Sequence, residues 1–259
     1  MKALTIPMIE RARSDSWIFG RRPNPEAGLR LFCFPYAGSS AAVFRTWADD
    51  LPASVDVCPV QYPGHGTRLM EPSYTRLSPL VEALVPALEP LMDRPFAFFG
   101  HSLGAIVSFE LARELRRRLG LLPVCLFVSA GRAPQAPSRH QPIHSLADAD
   151  FLEEMRRLNG TPSEILASAE LMRILLPILR ADFTVGETYT YSPEPPLACR
   201  IVSMGGEQDP RVSHGDLEAW RAQTSAGFTL RTFPGDHFFL NTDRRRLLQF
   251  LSDELNRGL

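Results

Sequence analysis

Gly100-His101-Ser102-Leu103-Gly104 sets a serine between two glycines, a spacing that matters chemically if the serine attacks something. A serine hydroxyl is a poor nucleophile until a base takes its proton and a third group orients that base. The chain must then bring a histidine and a carboxylate to the same place. Gly235-Asp236-His237 offers a base, and Gly205-Gly206-Glu207-Gln208-Asp209 offers two carboxylates. Such a set performs acyl transfer through a covalent acyl-enzyme, on esters, amides and thioesters alike.

The elements that must position these residues follow from alternation along the chain. Short apolar, β-branched and aromatic runs recur at 29–35, 55–63, 96–102, 124–130, 199–206 and 228–235, with helical periodicity at 41–51, 76–92, 103–119, 214–225 and 243–257. Strands alternating with helices imply crossover connections and a mostly parallel central sheet flanked by helices on both faces. In such a sheet the loops that follow strands gather at one edge. Ser102 lies at the turn between a buried strand and a helix, the context in which G-x-S-x-G has mechanical meaning. The turn strains the serine backbone and tolerates no bulk two residues either side, which Gly100 and Gly104 provide. A serine that only caps a helix is the competing reading.

His237 directly follows the last strand and is the expected base. His101 flanks the serine, His65 follows the second run, His140 and His144 lie between the fourth and fifth runs, and His214 begins a helix. For the acid, Asp209 is preferred to Glu207, because Gly205-Gly206 before it and Pro210 after it suggest a loop reaching outward. Asp236 is a weaker rival, since a residue beside the histidine turns its side chain elsewhere. The chain order Ser102, Asp209, His237 is that of the α/β-hydrolase arrangement. The Leu103 N–H, in the first turn of the helix, is the natural first oxyanion donor. A second is expected from Phe34-Pro35-Tyr36-Ala37-Gly38-Ser39-Ser40, at Ala37 or Gly38, unless that segment is an ordinary turn. The predicted organisation is an α/β-hydrolase core over 1–131 and 192–259, interrupted by a helical lid insertion over 132–191.

Composition narrows the partners. The 259 residues are 44% hydrophobic, enough for one large α/β unit, and the formal net charge of −1 leaves no overall field to attract nucleic acid or anionic lipid. Charged residues in MKALTIPMIERARSDSW argue against a signal peptide, and no stretch of about 18 apolar residues occurs, so a cytoplasmic protein without membrane association is expected. Cys33, Cys58, Cys125 and Cys199 all fall in strand runs, which predicts free buried thiols. The chemistry calls for no metal and no organic cofactor.

FCFPYAGSSAAVFRTW, QYPGHGTR, FGHSLGA, GGEQD and FPGDHFF, in this order and over nearly the whole chain, resemble the stand-alone type II thioesterases of polyketide and nonribosomal peptide synthesis. They are similar also to thioesterases associated with fatty acid synthase. The resemblance puts the nucleophile on Ser102, the acid on Asp209, the base on His237, and the oxyanion donors on the backbones of Ala37 and Leu103. Ser39 stands where such proteins commonly have a second glycine, which bears on loop flexibility and not on the reaction. The resemblance implies hydrolysis of acyl groups from the phosphopantetheine arm of an acyl or peptidyl carrier protein supplied in trans. A small-molecule carboxylesterase or lipase and a medium-chain fatty acyl thioesterase would use the same triad; a non-catalytic binding module on this fold would not need it. Within the insertion, FLEEMRRL (151–158) and LMRILLPILRADF (171–183) are apolar enough either to line an acyl channel or simply to pack on each other. Arg68, Arg132, Arg139, Arg211 and Arg244–Arg246 are candidates to receive an acidic carrier, whereas Arg116–Arg118 complement a helix C-terminus.

Overall fold

The structure, a computed structural model, describes residues 16–257. The N-terminal segment read for the absence of a signal peptide lies, up to residue 15, outside the described residues. In chain order the elements are β1 (Leu29–Phe34), a 3-10 turn (Ala41–Phe44), α1 (Trp47–Asp50), β2 (Val55–Pro59), α2 (Leu77–Leu88), β3 (Phe96–His101), α3 (Leu103–Leu119) and β4 (Cys125–Ser129). Then come α4 (Asp148–Leu158), α5 (Ser163–Ala167), α6 (Ala169–Glu187), β5 (Arg200–Gly206), α7 (His214–Glu218), β6 (Phe228–Phe233), α8 (Phe239–Thr242) and α9 (Arg244–Asn256).

The six strands form one parallel sheet in the order β2-β1-β3-β4-β5-β6. Because side chains alternate along a strand, a run that is apolar at every position feeds two cores. In β1, Phe32 and Phe34 join Phe98 and the buried leucines of α2 and α3 on one face. Leu31 and Cys33 meet Phe99, Trp47 and the leucines of α9 on the other. Aromatic rings tie neighbours together edge to face, with Phe34 and Phe98 centroids 5.2 Å apart and Trp47 and Phe99 4.8 Å apart. The helix predicted over 41–51 breaks at Arg45-Thr46 into the 3-10 turn and α1, which still turns Phe44 and Trp47 onto the second core. β2 is shorter than its apolar run: it is an edge strand that accommodates Pro59, and the chain leaves the sheet after the Val60 N–H donates to the Cys33 carbonyl.

α3 shows why local sequence suffices where it does. Gly120 closes it in the left-handed conformation, and Arg116, Arg117 and Arg118 occupy its last turn. Their charges are also spent on Glu114 and Glu194. Between β4 and β5 the chain builds α4, α5 and α6, which pack around Phe151, Met155, Leu166, Met172 and Leu179 as a third small core.

All four cysteines are free and buried, and burial raises the Cys33 thiol well above its ordinary value and pushes those of Cys58, Cys125 and Cys199 up to about 12. Thiolate is the reactive form. A chromogenic disulfide reagent at pH 8 should therefore leave the native protein unmodified for many minutes and titrate all four thiols in denaturant; rapid reaction of the native chain would contradict this packing.

Candidate active site

β3 ends at His101 and α3 begins at Leu103, so the chain reverses within Ser102, at φ 54° and ψ −111°. That backbone region is costly for a residue with a Cβ and is held by neighbours. The Ser102 N–H donates to the Ser129 carbonyl at 2.8 Å. A Cβ on Gly100 would stand 2.1 Å from the Gly104 carbonyl oxygen, and one on Gly104 the same distance from the Phe34 carbonyl oxygen. The Ser102 side chain makes no capping hydrogen bond, which sets aside the reading of a simple helix cap.

The hydroxyl turns instead to His237, with Oγ 3.0 Å from Nε2, while Nδ1 lies 2.7 Å from Asp209 Oδ2. A carboxylate can only accept, so Nδ1 carries the proton and Nε2 presents its lone pair to the serine O–H. Asp209 is itself fixed, its Oδ1 accepting the Arg211 N–H at 2.8 Å and the Val212 N–H at 3.2 Å, and its side chain is fully covered. Gly206 lets the two loops meet, because a Cβ there would lie 2.1 Å from the Asp236 carbonyl oxygen. Of the rival carboxylates, Glu207 is exposed, and Asp236 turns back to accept the Phe238 N–H at 2.8 Å.

Two residues beside the same space have backbone N–H groups that are not engaged. Neither the Leu103 nor the Ala37 N–H has an acceptor among the described residues, and both residues line the cavity that contains Ser102 and His237. Gly38, the alternative to Ala37, donates its N–H to Asp182 Oδ2 at 2.6 Å and so is occupied.

One contributor was missed in the sequence. His101 is fully buried beneath the triad, accepting from Ser129 Oγ at Nδ1 (2.9 Å) and donating from Nε2 to the His237 carbonyl (2.9 Å). Burial, then the neighbouring His237 charge, lowers its pKa well below the ordinary value. Its place inside the elbow motif was the available signal; that it holds the backbone of His237 depends on a contact 136 residues away.

The cavity measures about 730 Å³ and carries Ile106, Met155, Leu158, Leu179 and Phe183 on its apolar walls. The insertion helices pack on each other and also line the cavity that contains Ser102. Gly160, just past α4, lies so close to Phe238 that a Cβ would meet the ring at 2.5 Å. Arg132 and Arg211 also line the cavity, half-buried, and neither guanidinium has a hydrogen-bond or ion-pair partner among the described residues. Burial lowers the pKa of both, against nearby carboxylates that act the other way. Arg68, by contrast, is turned onto the Trp17 ring and Glu71, Arg244 onto Asp50, and Arg246 onto Asp243, while Arg139 and Arg245 are exposed.

Comparison with known proteins shows what the whole chain is similar to. The thioesterase domain family matches residues 29–255. The chain is 47% identical to a Brevibacillus parabrevis protein named linear gramicidin dehydrogenase LgrE, over 94% of each chain. It is 42% identical to thioesterase PikA5 of Streptomyces venezuelae, over 93% of this chain and 86% of that one. The solved structure of BorB, a type II thioesterase from the borrelidin biosynthetic cluster, superposes with a TM-score of 0.83 at 35% identity, covering 93% of this chain and 96% of that one.

Asp209→Asn should leave folding intact yet lower kcat on the order of 10³- to 10⁴-fold by favouring the wrong imidazole tautomer, whereas Asp236→Asn should stay within about tenfold; the reverse ranking would move the acid to Asp236. His101 supplies a second expectation. The unfolded chain binds a proton below about pH 6.5 that native His101 refuses, so this residue's contribution to stability is complete above that pH and lost as pH falls. Denaturant titrations between pH 7 and 5 should show a shallower loss for His101→Gln than for the wild type, and parallel slopes would contradict a neutral buried His101.

Proposed function

The chain belongs to the thioesterase domain family, and from that membership we propose that it is a stand-alone editing thioesterase hydrolysing acyl groups from the phosphopantetheine arm of an acyl or peptidyl carrier protein. Asp209 orients His237, and His237 takes the Ser102 proton as Oγ attacks the thioester carbonyl. The tetrahedral oxyanion is held by the N–H groups of Leu103 and Ala37. Collapse breaks the C–S bond and His237 returns the proton to the departing thiolate. Water, deprotonated by the same imidazole, then attacks the acyl-Ser102 ester; its collapse releases the carboxylic acid and restores the serine.

The observation that carries this reading is a cavity that insertion residues line with apolar side chains and that contains the Ser102–His237 pair. α4, α5 and α6 act as a lid over residues 132–191, under which the acyl chain lies. Arg132 and Arg211, half-buried and without an acceptor among the described residues, suit the phosphate of the arm. The exposed Arg139 and Arg245 are left to meet the carrier's acidic surface. The word dehydrogenase in the Brevibacillus name concerns that protein. Here the first strand-to-helix turn, PYAGSS, lacks the spaced glycines that bring a backbone against a dinucleotide pyrophosphate. No described helix is long and apolar enough to cross a membrane, in keeping with a cytoplasmic partner for cytoplasmic carriers.

Matched butyryl groups on a holo carrier, on coenzyme A, on pantetheine and as a simple oxoester discriminate the readings. The carrier thioester should be preferred by at least about tenfold in kcat/KM over the oxoester, and Arg132→Gln with Arg211→Gln should raise KM for phosphorylated arms while sparing pantetheine. Preference for the oxoester would instead assign a carboxylesterase, and equal rates on carrier and coenzyme A a fatty acyl thioesterase.

A further inference from the structure

Asp182 and His65 form a buried pair beside the site that the reaction steps do not use. Asp182 comes from α6, and His65 from the loop after β2; only 5% and 4% of their surfaces are exposed. His65 Nε2 lies 2.8 Å from Asp182 Oδ2, and Nδ1 lies 3.0 Å from the Pro63 carbonyl. A carbonyl only accepts, so Nδ1 carries a proton. Burial opposes charge on this ring, but the hydrogen bond and charge of Asp182, with the Pro63 carbonyl, raise its pKa overall. Tyr62, also titratable, has its ring 6.1 Å away, and its buried hydroxyl has no partner among the described residues. An imidazolium facing a carboxylate is the arrangement these contacts favour.

The same Asp182 oxygen accepts the Gly38 N–H at 2.6 Å. Gly38 has φ +75° in a turn closed by the Ser39 N–H on the Tyr36 carbonyl at 3.0 Å, a position that favours glycine. Leu179, three residues before Asp182 and on the same face of α6, fills the space over Gly38, where a Cβ would meet its Cδ2 at 2.2 Å. The helix of the insertion therefore grips this turn twice, once by charge and once by packing.

We infer that Asp182, anchored by His65, is a positioning residue that locks the Ala37–Gly38 peptide and so keeps the adjoining Ala37 N–H aimed at the oxyanion. This rests on the oxyanion role proposed above for Ala37. It follows that the lid and the oxyanion loop are mechanically one unit: displacement of α6 moves the donor as well as the cavity wall.

The test compares wild type, Asp182→Ala, Asp182→Asn, His65→Gln and Ser102→Ala, using butyryl-pantetheine hydrolysis and the affinity of an alkyl trifluoromethyl ketone, which forms a tetrahedral adduct on a nucleophilic serine. Asp182→Ala should lower kcat about 10- to 100-fold, shift KM less than about threefold, and weaken the ketone by a factor matching the loss in kcat/KM. Asp182→Asn, whose amide oxygen can still accept the Gly38 N–H, should recover part of both losses, and His65→Gln should fall between. If Asp182→Ala does not fold, the two milder variants decide by the same split. A folded variant series with kcat and ketone affinity within twofold of wild type overturns the inference, as does a rise in KM at unchanged kcat. Undiminished turnover by Ser102→Ala would instead sink the triad reading on which it stands.

Discussion

The close approach of β1, β3 and α3 around Gly100 and Gly104 is the constraint on which the rest of the site depends. A methyl group at either glycine would sit 2.1 Å from a backbone carbonyl oxygen. With both spaces empty, the chain can reverse within one residue, bringing the Ser102 hydroxyl to His237 and starting a 17-residue helix whose first residue, Leu103, lines the same cavity. Backbone strain of this kind costs about 1–3 kcal/mol and persists because its surroundings over-determine it. Here those surroundings are the Ser129 carbonyl and two aromatic-rich cores, one on each face of the sheet.

Around that fixed point the charged and polar groups are ordered by who can accept and who can donate. Asp209 spends one oxygen on two backbone N–H groups and has only the other for His237, so the imidazole has one available tautomer. His101 supports the backbone of the base from below. From above, the insertion closes the site with apolar side chains, and near Arg132 and Arg211 the walls turn cationic. The cavity thus offers apolar side chains, arginines and carboxylates around Ser102 and His237.

Sequence revealed most of what depends on local pattern. The strands were readable because a strand buried on both faces is apolar at every position, and the catalytic candidates because loops after parallel strands share one edge. Boundaries failed where tertiary geometry overrides pattern, as at β2, whose apolar run continues past Val60 although the chain has left the sheet. Local pattern left Ala37 and Gly38 open because the acceptor that occupies the Gly38 N–H is Asp182, 144 residues away, and no spacing rule connects them. The Asp182–His65 pair spans 117 residues and was invisible for the same reason. Arg68 looked like an exposed cation after a strand, yet it is drawn onto Trp17 and Glu71 by contacts that only the folded chain provides.

The central claim is that the acyl group passes through a covalent ester on Ser102. Mixing the protein with an acyl-loaded carrier, quenching in acid at millisecond intervals and weighing the intact chain tests it directly. The account predicts a transient gain equal to the acyl group minus one hydrogen, localised by fragmentation to the peptide containing Ser102 and formed before free acid accumulates. An adduct on another residue, or acid released at full rate in the absence of Ser102's hydroxyl, would contradict it.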